Sequence, residues 1–471
     1  MDSTTSLIDA GRTWLQRRAL LFKIIGIGFL ALILLIPLAM VDSTLNERKQ
    51  RSAEAVASIT QTWGRAQRLI GPVLVVPYSY QSEVEETNIV NGQRVTERVV
   101  REFAAEAYFL PEQLAVTGDL QPSERQRGIY RTQVYTGTVR VSGHFAPPAW
   151  ALLGLAADNV RPHWNRARLS FAVSDLRGMR EAVSVTWGEQ TIPLQPGARL
   201  EGFSTGLHAP LTLMEGGGAQ AFAVDLTLNG SESFSVVPLG RETRVSLTSP
   251  WQDPSFIGAY LPTERTVDAQ GFKAAWQVSY YGRDFPQQWT DRAGEPRPSL
   301  DSFSAAAFGV NLLPSVDAYR TVERSIKYGV LFVALVFTAF FLFEATLGLR
   351  LNALNYLLVG AALCLFFLSL LALSEFMPFG VAYGVAALDS IALVGLYCWR
   401  VLSGGRRAVL VSAMLGGVYV YLYFVLNMED FSLLAGTGAL FAMLAAVMYA
   451  TRSLGAEETP SLTTAVAPSR S

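Results

Sequence analysis

Gly202-Phe203-Ser204-Thr205-Gly206 matches the G-x-S-x-G pattern of a serine nucleophile. That motif activates its serine only where a strand turns sharply into a helix above an α/β sheet. Here Pro196-Gly197 precedes the motif and Pro210 follows it, so a loop or strand edge is expected instead. The hydrolase order also needs an acid and then a histidine downstream, and the only later histidine is His208. A catalytic serine is not expected. His144, His163 and His208 do not pair at zinc-ligand spacing, and both cysteines, Cys364 and Cys398, lie far away in apolar runs. Structural histidines and small buried thiols are expected, with no disulfide, metal or cofactor. Ser174-Asp175-Leu176-Arg177 and Gly240-Arg241-Glu242 read as solvated turns or ion pairs. Asn229-Gly230-Ser231 fits a glycosylation sequon, but a hairpin turn explains it as well.

The acids in and beside apolar runs offer other chemistry. Asp389 falls near the middle of such a run, where a lone charge is costly, so it must face other helices, be protonated or pair. Glu344 lies near the end of its run, within reach of Arg350; Glu375, Glu429 and Asp430 lie at the opposite ends of theirs. Such acids serve either a proton or ion path or the packing of a helical bundle.

The elements that position these residues follow from hydropathy. A bilayer core takes about 20 apolar residues per helix. One apolar run covers 24–41, with Arg17, Arg18 and Lys23 before it and no clear cleavage site after it, which indicates an uncleaved anchor. Its charged continuation, 43–68, reads as the same helix leaving the membrane. Five more runs cover about 328–347, 354–374, 378–399, 408–426 and 431–450. Arg350, Arg400, Arg406, Arg407 and Arg452 flank one side of these spans, and only acids flank the other, which puts the basic side in the cytoplasm. Six spans with both ends inside then place the intervening insert outside. The expected domains are a cytoplasmic N-terminus (1–23), the anchor (24–41), a periplasmic domain (42–326), a five-span bundle (327–450) and a disordered cytoplasmic tail (451–471) rich in Ser, Thr, Ala and Pro. A net charge of -1 gives no basis for nucleic-acid binding.

The insert reads as β structure. Residues 221–228 alternate apolar and polar before Asn229-Gly230, which predicts a tight hairpin returning through Phe234 and Val236. Val90-Asn91-Gly92 predicts a second hairpin, 130–145 a further strand, and 71–77 a short buried strand. Helix is expected only over 148–157 and near 254–260. The fold class is therefore a membrane protein of α+β type: an anchor helix, a β-rich sandwich-like exported domain, with two lobes meeting near 147–168, and a five-helix bundle.

Ordered landmarks then give a family resemblance. Ser325-Ile326-Lys327-Tyr328, Phe341-Leu342-Phe343-Glu344, Tyr356-Leu357-Leu358-Val359-Gly360, Leu373-Ser374-Glu375, Leu422-Tyr423 and Met448-Tyr449-Ala450-Thr451-Arg452 run along the bundle. Phe109-Leu110-Pro111-Glu112, Asp175-Leu176-Arg177-Gly178, Gly206-Leu207-His208-Ala209 and Pro238-Leu239-Gly240 run along the insert. In these landmarks the chain resembles the CreD family of bacterial inner-membrane proteins, from which it departs at Phe376, often histidine in the family, and at Asp389. The resemblance implies a part in envelope integrity under a two-component system, with no catalytic residues to carry over. The expected function is non-enzymatic, through an exported domain that binds an envelope protein, peptidoglycan or lipid. The alternative is a transporter or lipid-handling protein using the acids of the bundle.

Overall fold

The computed structural model describes residues 19–90, 93–153, 160–179, 181–292, 294–313, 318–347, 352–401, 405–428 and 431–451. The chain divides into two compact units, Ala53–Ser315 and, joined from both ends of the sequence, Met1–Ser52 with Val316–Ser471. The expectations for the N-terminus, the tail, Arg350, Arg452, Glu429, Asp430 and the Asn91-Gly92 turn lie outside the described residues.

The anchor run and its charged continuation form one helix, Ala19–Trp63, of 45 residues. At 1.5 Å per residue it is about 68 Å long, roughly twice a bilayer core, so only its apolar half is membrane-matched. It stops where Gly64 adopts φ +152 and lies so close to the Asn229 carbonyl that a Cβ would sit 2.3 Å from that oxygen. Three residues later the first strand begins.

The β unit is two sheets on one hydrophobic core. Among the described residues one sheet has ten strands, centred on Gln67–Val90 and Ala167–Val173, and the other has eight, centred on Gln113–Arg127 and Tyr130–Phe145. Alternation decides which face is buried: in Glu242–Ser249, Thr243, Val245, Leu247 and Ser249 point inward while their neighbours point out. Sequence-distant strands interleave, since Ser233–Val236 pairs in parallel with Gln67–Leu69, and Glu242–Thr248 with Gln113–Asp119. The expected division into lobes near 147–168 does not occur, because each sheet takes strands from both halves of the insert.

Two local expectations also fail. Asn229-Gly230 is no hairpin turn: strand Gln220–Ser231 runs straight through it, paired with Thr136 and Tyr135. Gly230 is there for close approach, since a Cβ would meet the Tyr135 ring at 2.3 Å. The chain changes sheets two residues later, at Glu232 with φ 64. The expected helix near 254–260 is a strand, Ser255–Gly258, recruited by the edge of Phe308–Asn311. Of the helix expected at 148–157, Trp150–Leu153 is a 3-10 turn, and 154–157 lie outside the described residues. The second hairpin is confirmed by the pairing of Val90 with Gln93, and the third strand forms at Tyr130–Phe145 as expected.

Among the described residues of the membrane unit, four helices are long and apolar enough to cross a bilayer: the anchor, Ala353–Ser374, Phe379–Val401 and Gly405–Asn427. A fifth span is a broken pair, Tyr319–Lys327 with Gly329–Leu342, bent by 46°. The sixth expected span is the helix Ser432–Thr451, whose apolar stretch, Leu434–Tyr449, is shorter than the others. The anchor packs into the bundle at two glycines, Gly329 under Leu38 and Gly360 under Leu34. Small residues let membrane helices approach in this way.

Candidate functional site

Glu344 is buried near the end of its helix. One carboxylate oxygen pairs with Lys23 of the anchor helix and the other accepts from the Tyr356 hydroxyl at 3.1 Å. Lys23 is thus a cationic partner of Glu344 among the described residues, and the pairing expected with Arg350 lies outside them. Glu375 is held in the same way, accepting from Tyr319 at 3.1 Å and lying 3.7 Å from the Arg48 guanidinium. Both acids tie the anchor helix or the broken helix to the bundle. Asp389 differs. It is residue eleven of the helix Phe379–Val401, on its exposed face, and makes no hydrogen bond or ion pair among the described residues. The expectation that it faces other helices or pairs with them is not met. Its helix neighbour Ser390 points inward instead, accepting from the Tyr419 hydroxyl at 2.7 Å.

The β unit brings its own polar groups together. Asp175 is buried: one carboxylate oxygen accepts from the backbone N–H and Nε of Arg177, the other from the Arg65 N–H. Burial alone would raise this carboxyl, but the Arg177 and Arg65 hydrogen bonds outweigh it and hold the group below the usual carboxylate range. Gln67 completes the knot, donating to the carbonyls of Asp175 and Asn229 at 2.9 and 2.7 Å. The expected ion pair is present, but Asp175 is not solvated; it fastens the exit of the long helix to both sheets.

A second knot joins Glu106 to Arg168 through a two-pronged contact at 2.7 and 2.5 Å, with the Tyr108 hydroxyl donating to Glu106 at 2.9 Å. Tyr108 stacks on Trp289, with centroids 5.2 Å apart and planes 3° from parallel. Beside this stack is a cavity of about 210 Å³, walled by Leu200, Phe203, Leu300, Phe303 and Asp291 and bridged at its mouth by Arg297 and Glu201. Asp291 accepts from the Glu106 N–H at 2.7 Å, and burial pushes its carboxyl above the usual range. Shape and lining suit a small, mainly apolar group. Pairing residues this far apart in sequence leaves no local motif to find.

The sequence-derived candidates for catalysis do not converge. Ser204 is exposed and followed by a strand, Gly206–Leu211, not by a helix. His208 is buried in that strand with Nδ1 2.8 Å from the Gly197 carbonyl, and burial lowers its pKa, so it is a structural histidine. Among the described residues no group of His, Cys, Asp or Glu is placed to hold a metal. Asn229 and Ser231 of the sequon are buried.

A third feature is a surface. Strands Gln67–Val90 and Gln93–Phe109 stay paired far beyond the rest of their sheet. Flanking strands reach only Tyr80 on one side and Ala107 on the other. Gln81 to Val90 therefore forms a two-stranded arm about 34 Å long. It carries Glu83, Glu85, Arg98 and Val100 exposed. The other long hairpin, Gln113–Arg127 with Tyr130–Phe145, is covered at its tip, where Arg125 lies over the Trp63 ring and Arg127 donates to Ser58.

The family model described as inner membrane protein CreD matches residues 19–455. The inner membrane protein CreD of Escherichia coli (strain K12) is 32% identical over 438 residues, covering 92% of this chain and 93% of that protein. Anchor, β unit and helical bundle all fall within the matched region, and the chain belongs to the CreD family of inner membrane proteins.

Proposed function

We propose that this protein supports cell-envelope integrity without catalysing a reaction, through a periplasmic β unit that binds an envelope component. The observation that carries this reading is the arm of residues 81–102. Isolated two-stranded hairpins are marginal in water, and their free edges invite pairing. A long arm with exposed edges and alternating charges suits recognition of a protein or polymer. Loop charges favour the periplasm for the β unit, since Arg400, Arg406 and Arg407 mark the opposite side of the bundle from Glu375. Its partner is an envelope protein, peptidoglycan or lipid.

Transport or lipid handling through the bundle acids is the second reading. It has less support, because Glu344 and Glu375 are each engaged by fixed partners that pack helices together. Detergent and cell-wall antibiotic sensitivity of a deletion strain tests the first reading. Increased sensitivity, restored by the full chain, is expected; unchanged sensitivity and morphology would remove its basis.

A further inference from the structure

Asp389 poses a problem that the rest of the bundle does not solve. It lies at the eleventh position, next to the middle, of a 23-residue membrane helix and faces outward. A carboxyl in hydrocarbon without a partner is strongly disfavoured, and such groups pair with one another or with backbone. None of the described residues supplies that partner. Its surroundings are ordered, however. Val385, Asp389, Ala392, Leu396 and Trp399 are all exposed and recur at spacings of four, three, four and three residues. That is the heptad spacing of a helix that pairs with another helix lying alongside it. On the buried side of the same helix, Ala382, Ala386, Ser390 and Val394 are already engaged with the bundle.

We propose that this face is the contact between two copies of the chain, related by a two-fold axis along the membrane normal. Two copies inserted in the same sense are parallel, so the seam meets itself in register. Asp389 then lies against Asp389 of the second copy. The two carboxyls hold one proton between them, so one donates and the other accepts. A second copy supplies this complement at the right depth, which lipid cannot. Ala392, one turn away, allows the close approach that interhelical hydrogen bonds need. A polar residue at one core position of an otherwise apolar seam also fixes its register.

Oxidative cross-linking of the full chain in native membranes tests this. Cys364 and Cys398 are buried, so the unmodified chain is the background control. Val385→Cys and Ala392→Cys are expected to give covalent dimer at least fivefold more efficiently than Phe441→Cys, an equally membrane-embedded exposed position on another helix. Added to Ala392→Cys, Asp389→Asn keeps most of the dimer, because paired amides replace paired carboxyls, whereas Asp389→Leu lowers it severalfold. Equal cross-linking at seam and control positions overturns the proposal. So does undiminished dimer with Asp389→Leu, or capture of a different protein in place of a second copy.

Discussion

Asp175 in the β unit and Glu344 in the membrane unit are both buried carboxylates, yet their partners differ in kind. Asp175 accepts mainly from backbone N–H groups and from an arginine two residues away, and these bonds close a strand junction. Among the described residues, Glu344 accepts from side chains on other helices, Lys23 and Tyr356. The contrast follows from what each unit leaves unsatisfied. Where strands change sheets, backbone donors are left over and a carboxylate can collect them. A membrane helix satisfies its own backbone, so only side chains remain to bond between helices. Polar groups therefore hold the β unit together within its junctions, and the bundle between its helices.

The largest effect is expected at Asp175. Asp175→Ala removes a buried carboxylate that accepts from two part-buried N–H groups and the Arg177 side chain, and should cost about 3 kcal/mol of β-unit stability, read by denaturant unfolding of the purified chain. Gly230→Ala should cost about 2 kcal/mol, since the new methyl must displace the Tyr135 ring. Unchanged stability there would mean that Gly230 is not needed for the close approach. Glu344→Gln should lower the thermal stability of the bundle in detergent by about 1 to 2 kcal/mol, with Lys23 a third exposed and able to reach water. The β unit's own transition should not move, and a shared shift would break the comparison.

A smaller effect separates the units by pH. Asp175 and His208 both have folded pKa values below their unfolded ones. Each contributes stability that is present above its unfolded value and is lost as pH falls through the folded one. The β unit should therefore weaken progressively in acid, first below about pH 6.5 through His208 and then through the carboxylate range. Asp291, raised by burial, works in the opposite direction and softens the second step. The smallest expected effect is that of Ser204→Ala, within about 0.5 kcal/mol and without loss of function in cells, as befits an exposed serine.

Much of the fold was legible because it rests on periodicity. The apolar runs marked the helices, and alternation marked strands such as Tyr130–Phe145. Asn229-Gly230 misled because its composition is that of a turn, while its role is set by Tyr135, far away in the sequence. Ser255–Gly258 misled because its strand exists only through its neighbour Phe308–Asn311. Glu344 and Asp389 were legible as costly acids, but their environments were not. Which face of a helix packs inward depends on helices that local sequence does not order.

If the β unit's arm carries the function and the bundle's acids do not, tolerance of the envelope to detergent depends on the arm alone. The direct measurement is detergent tolerance of a deletion strain carrying one of two variants matched for membrane level. One has residues 83–100 replaced by a two-residue turn; the other carries Glu344→Gln with Asp389→Asn. The second variant is expected to restore tolerance and the first is not. Tolerance restored without the arm but lost with the acid substitutions would contradict that expectation.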